Sequence, residues 1–109
     1  MGSIGEEISA NYLQKCGYKI IERNYRCRQG EIDIIAKDKA NTLIVIEVKT
    51  RTSDICGSPL EAITKTKYQN IKTGLFSYLK EHSEYKKFRI DVISITLNPE
   101  IQIKYIRNV

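Results

Sequence analysis

Residues 42–50 carry the run Leu43-Ile44-Val45-Ile46 before Glu47-Val48-Lys49, and this run constrains the fold more than any other feature of the chain. A strand with one wet face alternates apolar and polar residues, whereas an unbroken apolar run marks a strand covered on both faces. Such a strand belongs at the centre of a sheet.

Ile8, Tyr12, Leu13 and Cys16 recur at helical spacing over residues 4–16, with Gly17 closing the helix, which places Cys16 in the core. About 100° per residue sets Glu6 on the inward border of this helix and turns Glu7 to water. Residues 18–26 and 31–36 read as strands around a Gln29-Gly30 turn, and residues 37–41 as a polar connector. After a polar loop over residues 51–57, Ser58-Pro59-Leu60-Glu61 has the residues of a helix start. Thr66-Lys67-Tyr68-Gln69 repeats the capping pattern, and a longer helix carries Tyr68, Ile71, Leu75, Tyr78 and Leu79 on one face, closed by His82. Residues 88–97 form a further strand, Asn98-Pro99 a turn, and Ile101, Ile103 and Tyr105 alternate with polar residues as an edge strand. The order α-β-β-β-α-β-β describes an α/β fold. A length of 109 residues suits a single domain.

Composition excludes several function classes. No apolar run approaches the roughly 20 residues of a membrane span, and no basic-then-apolar leader opens the sequence, so the expectation is a cytoplasmic protein without a membrane partner. Three cysteines, Cys16, Cys27 and Cys56, at wide spacings with one histidine suit neither a zinc site nor a disulfide framework. A metal here would be a hard ion held by oxygens. The net charge of +5 points toward a polyanionic partner.

The acidic residues of the core strands carry the chemistry. Asp33 lies among Ile32, Ile34 and Ile35, and Glu47 and Lys49 flank Val48 in the strand expected to be most buried. An ionised carboxylate is costly to bury unpaired. If the two strands form a hairpin, Asp33 falls opposite Glu47, Lys49 shares their face, and Glu6 approaches from the first helix. Two readings stand side by side. In one, Lys49 forms an ion pair that ties the strands together. In the other, Asp33, Glu47 and Glu6 hold Mg²⁺, with Mn²⁺ as a substitute, and Lys49 orients a water or stabilises the transition state of phosphodiester hydrolysis. Arg51, Arg26, Arg28 and Lys67 are candidate phosphate contacts, with Arg23 and Lys65 behind them. Glu31 either joins the acids or pairs with an arginine, Asp91 and Arg89 read as an internal ion pair, and Tyr25, Tyr68 and Tyr85 as core or rim residues.

Gly30-Glu31-Ile32-Asp33-Ile34-Ile35-Ala36 followed by Ile46-Glu47-Val48-Lys49-Thr50-Arg51 resembles the half-motifs of the PD-(D/E)XK, or restriction endonuclease-like, nuclease superfamily. Gly5-Glu6, Tyr12-Leu13, Gly17-Tyr18, Arg23-Asn24-Tyr25-Arg26, Lys67, Tyr78-Leu79, and Arg89 with Asp91 extend the resemblance along nearly the whole chain. Its branch is the YraN-like family of small bacterial proteins, similar to archaeal Holliday-junction resolvases. Ile32 stands where the superfamily's motif has Pro, as is common in the resolvase-like branch. The resemblance implies a restriction endonuclease-like fold, a mixed sheet flanked by helices, in agreement with the element order, and it implies that Glu6, Asp33, Glu47 and Lys49 are catalytic, the three acids as metal ligands. It implies a Mg²⁺-dependent endonuclease acting on DNA, including branched or otherwise structured DNA. The alternative is a nucleic-acid-binding module of the same fold that does not cut. Resolvase-like relatives act as dimers, so a homodimer is compatible with this reading.

Overall fold

The computed structural model describes residues 4–28, 30–52 and 63–109. Two helices and five strands follow in the expected order: α1 (Ile4–Lys15), β1 (Lys19–Cys27), β2 (Gly30–Lys37), β3 (Thr42–Arg51), α2 (Lys65–Glu81), β4 (Lys87–Thr96) and β5 (Gln102–Ile106). The sheet runs β1-β2-β3-β4-β5, with β3 and β4 parallel and the other neighbours antiparallel. β3 is therefore central and β5 an edge, as the apolar run and the alternating tail predict.

Each helix covers one face. Ala10 and Leu13 of α1 pack on Ile34, Ala36, Ile44, Ile46, Ile93 and Ile95, while Ile71, Leu75 and Tyr78 of α2 pack on Ile32, Ile35, Leu43, Val45 and Ile90. Both faces of β3 are thus buried, which explains why its sequence does not alternate. Among the described residues, no helix is long and apolar enough to cross a membrane.

Several local expectations are corrected. The N-cap of α2 is Thr64, whose hydroxyl accepts the Lys67 N–H at 3.1 Å, so the helix begins ahead of the Thr66 pattern. The proposed start at Ser58-Pro59-Leu60-Glu61 lies outside the described residues, as do Gln29 and Cys56. Cys16 is exposed rather than core. α1 ends at Lys15, and Gly17 at φ +93° carries the chain away before Cys16 can turn inward. His82 does close α2, with Nδ1 3.0 Å from the Tyr78 carbonyl oxygen.

Two glycines fix how close the layers come. A Cβ on Gly5 would overlap the Thr50 hydroxyl, so only glycine lets α1 approach the end of β3 this closely and bring the adjacent Glu6 over the sheet. On the other face a Cβ on Gly74 would stand 3.1 Å from both the Cys27 sulfur and Ile32 Cδ1, which sets the approach of α2 to the β1–β2 hairpin.

Candidate metal and phosphodiester site

The site forms where β2 and β3 part. Their ladder runs from Lys37 opposite Leu43 to Ile34 opposite Ile46 and extends no further, although β3 continues beside β4 to Arg51. Beyond that last pair the Asp33 carboxylate takes the place of a backbone acceptor, receiving the Val48 N–H at 2.8 Å. A side chain thus bridges the strands where a carbonyl would in a regular sheet.

The side-chain alternation of β2 also slips there. Ile34 and Ala36 belong to the α1 core, yet Ile32 joins Ile35 in the α2 core. Simple period two would keep Ile32 with Ile34. On the neighbouring strand Asn24 adopts φ +55°, and the β1–β2 register passes from Arg23–Ile34 to Tyr25–Ile32 without an Asn24–Asp33 pair. Asparagine is among the few residues that accept this left-handed backbone readily. The irregularity brings Asp33 toward α1, where carboxylate oxygens of Glu6, Glu31 and Asp33 lie within 4.8 Å of one another. With its amide oriented to satisfy hydrogen bonding, Asn24 donates to Glu6 Oε1 at 3.1 Å and to Glu31 Oε1 at 3.0 Å.

Glu47 reaches the same place from the other side. It is buried, forms an ion pair with Lys67 of α2 at 3.2 Å, and sits against the Asp33 carboxyl. Burial and the adjacent Glu47 charge push Asp33 up to about 7, with a hydrogen bond to Glu47 holding its proton. Burial, and then the Asp33 charge, also raise Glu6 from its ordinary value. The arrangement is one of carboxylates with too little positive charge at its centre. Arg26 reaches Glu31 at 3.4 Å but is 85% exposed, and Asp33 makes no ion pair among the described residues.

The sequence-predicted residues separate into groups. Glu6 and Asp33 are brought together as expected, and Glu47 joins them through Asp33. Glu31, for which a structural role competed with membership of the acid group, does both: it pairs with Arg26 and belongs to the carboxylate cluster. Lys49 is exposed and makes no ion pair among the described residues; the ion pair to Glu47 is made by Lys67, which ties α2 to β3. Lys67, expected as a phosphate contact, is thereby engaged with Glu47. Arg51, a candidate phosphate contact, is buried at 9% exposure. Arg26 and Arg28 are exposed at the end of β1. Glu7 is exposed and pairs with Arg23 at 2.7 Å, while Tyr25, Tyr68 and Tyr85 are half-buried against the α2 core, as expected of them.

Hard oxygen donors and a raised carboxyl that makes no ion pair among the described residues suit a small divalent cation. Glu31, Glu47 and Lys67 also line a pocket of about 150 Å³ on the α2 side.

Comparison with known proteins agrees with this architecture. The model of the uncharacterised protein family UPF0102 matches residues 5–95. A UPF0102 protein of Clostridium botulinum strain Hall is 50% identical over 113 residues, covering 99% of this chain and 91% of the relative. One of Geobacter metallireducens is 44% identical over 110 residues, covering 99% and 89%. Among solved structures, a repair endonuclease from Pyrococcus abyssi aligns with a TM-score of 0.52 at 20% identity, over 91% of this chain and 40% of that one. An EndoMS complex with dsDNA aligns with a TM-score of 0.51 at 18% identity, over 92% and 40%. The chain spans about two-fifths of the length of these two structures, and the likeness is one of fold.

Proposed function

Starting from a chain that belongs to the uncharacterised protein family UPF0102, the YraN-like group its motifs resemble, we propose that it is a divalent-metal-dependent endonuclease hydrolysing phosphodiester bonds of DNA. The observation that carries this reading is Asp33: a carboxyl beside Glu6, Glu31 and Glu47 that makes no ion pair among the described residues and is pushed up to about 7. A purely structural acid would be placed beside a positive charge. The shared architecture with the repair endonuclease and with EndoMS, which is bound to dsDNA, supports the same direction.

Glu6, Asp33 and Glu47 would hold the ion, Mg²⁺ with Mn²⁺ as substitute, and Glu31 would complete the set. When bound, such an ion supplies charge stabilisation to a phosphodiester oxygen and acidity to water. The chain's own groups do the rest. The Val48 N–H fixes the direction of one Asp33 oxygen, Lys67 holds Glu47 in place, and Asn24 holds Glu6 and Glu31. Lys49, two residues beyond Glu47 and free of ion pairs among the described residues, is available to a phosphate oxygen or the attacking water as the catalytic lysine. The net charge of +5 draws in the polyanion.

The test is a Mg²⁺ titration followed by NMR on the wild type and Asp33→Asn, and then incubation with linear, single-stranded and branched DNA. Expected are localised shifts at Glu6, Asp33 and Glu47 that vanish in Asp33→Asn. Cleavage should be lost in Asp33→Asn and in Lys49→Ala, with folding and DNA binding retained. Salt-sensitive DNA binding in EDTA with neither metal response nor cleavage would replace this reading by the non-cutting module.

A further inference from the structure

The carboxylate centre does not stand alone on the α2 side. A larger open groove of about 490 Å³ runs between the end of β1 and α2, and Cys27 lines both this groove and the pocket containing Glu47 and Lys67. The two are therefore neighbours that share the Cys27 wall. Arg26, Arg28, Lys80 and Glu81 line the groove, three cations against one acid. Arg26 is shared with Glu31, whereas Arg28 and Lys80 make no ion pair among the described residues. Between them Phe76 is 43% exposed, its ring centroid 5.6 Å from that of Phe88 with the planes at 90°. Phe88 is itself 47% exposed, so the pair contributes little to either core.

We propose that this groove seats a single-stranded DNA segment, with backbone phosphates on Arg28 and Lys80 and a base stacked on Phe76, and leads that strand to the carboxylate centre. The inference deepens the nuclease reading and rests on it for the destination of the strand, but not for the seat itself. Charge selects a polyanion. The aromatic ring among the cations selects one with a planar face to offer, and unpaired bases offer that face whereas a duplex keeps its bases stacked inside. The Phe88 ring braces Phe76 on one side, so little side-chain freedom is lost when a base lands on it.

The test measures fluorescence anisotropy of a labelled twelve-residue oligothymidylate and of a duplex of the same length, in EDTA so that no cleavage intervenes. Phe76→Ala should weaken the single strand about tenfold and leave the duplex nearly unchanged, and Phe76→Trp should restore binding. Arg28→Gln combined with Lys80→Gln should lower the slope of log affinity against log salt by about 1.4, the value for two phosphates on a single strand. Urea midpoints matching wild type confirm that the variants fold, as the exposure of all three positions predicts. Oligothymidylate binding unchanged by Phe76→Ala, weakened equally for duplex, or absent in the wild type would overturn the proposal. The two readings fail separately. Groove variants that weaken single-strand binding in a protein without a Mg²⁺ response leave the groove standing and remove the nuclease. Asp33-dependent cleavage with groove variants that bind as wild type does the reverse.

Discussion

Two aspartates flank the centre of the sheet and meet opposite fates. Asp91 is on β4, opposite Ile46 of β3, and Asp33 is on β2, one residue from the Ile34 that pairs with the same Ile46. Asp91 has no solvent exposure, and every approach to it is occupied: Arg89 Nε donates at 3.0 and 3.1 Å, the Asn108 N–H at 2.9 Å, and the Tyr105 hydroxyl closes the remaining side. Burial and the bond to Asp91 hold the Tyr105 phenol protonated well above its usual range. Tyr18 completes the shell by accepting from Arg89 at 2.6 Å. Asp33 receives one backbone N–H, lies against Glu6, Glu31 and Glu47, and makes no ion pair among the described residues. The first carboxylate is neutralised by its own fold, and the second is left for something the fold does not contain.

The largest expected effect follows from the closed member of the pair. Asp91→Ala strands Arg89 and removes the acceptor of Tyr105 and Asn108, which should cost about 3–5 kcal/mol in urea denaturation, with no dependence on added metal. A loss below about 1 kcal/mol would mean that the cluster is not structural and would dissolve the contrast.

Asp33 should behave in the opposite sense. Its carboxyl titrates near 3.8 when exposed and at about 7 in the fold, so the folded state holds the proton more tightly. The stability this confers is full below about pH 4 and is lost as the pH rises toward 7. Asparagine keeps an acceptor for the Val48 N–H without the charge. Asp33→Asn should therefore leave stability at pH 4 nearly unchanged and raise it at pH 8 by about 1–3 kcal/mol. A variant less stable than wild type at pH 8 would place Asp33 among the structural acids with Asp91.

Magnesium should repair in the wild type what the substitution repairs in the variant. At pH 8, 10 mM Mg²⁺ acting on a site of millimolar affinity should add about 1.4 kcal/mol to wild-type stability and nothing to Asp33→Asn. Equal stabilisation of both would locate the ion elsewhere.

Much of this contrast could be read from the chain, and the rest could not for identifiable reasons. The apolar run of β3 announced a central strand, and an Asp among isoleucines opposite a Glu announced the meeting of Asp33 with Glu47. Arg89 two residues before Asp91 announced their pairing. What hid was the slip at Asn24 and Asp33, because period-two reasoning assumes an unbroken ladder; an Asn in the middle of a strand was the available signal. Strand parity offered Lys49 as the ion-pair partner of the acids, whereas Lys67 took Glu47 because α2 lies over that face, a fact of packing that no local pattern encodes. Thr64 and Thr66 stand two residues apart at the start of α2, and only the geometry makes Thr64 the cap.

Glu31 gives the smallest effect and the sharpest division between structural and ligand roles. It is exposed, and its pair with Arg26 is at the surface, so replacing its charge should change stability by less than about 0.5 kcal/mol. Its carboxylate nevertheless lies with those of Glu6 and Asp33, and Asn24 orients it. Glu31→Gln should therefore weaken Mg²⁺ binding about tenfold in the NMR titration while the urea midpoint stays in place. Unchanged Mg²⁺ affinity would return Glu31 to the surface ion pair and leave Glu6, Asp33 and Glu47 as the whole of the metal set, whereas a loss of stability without a loss of affinity would mean that Glu31 holds the β1–β2 hairpin and not the ion.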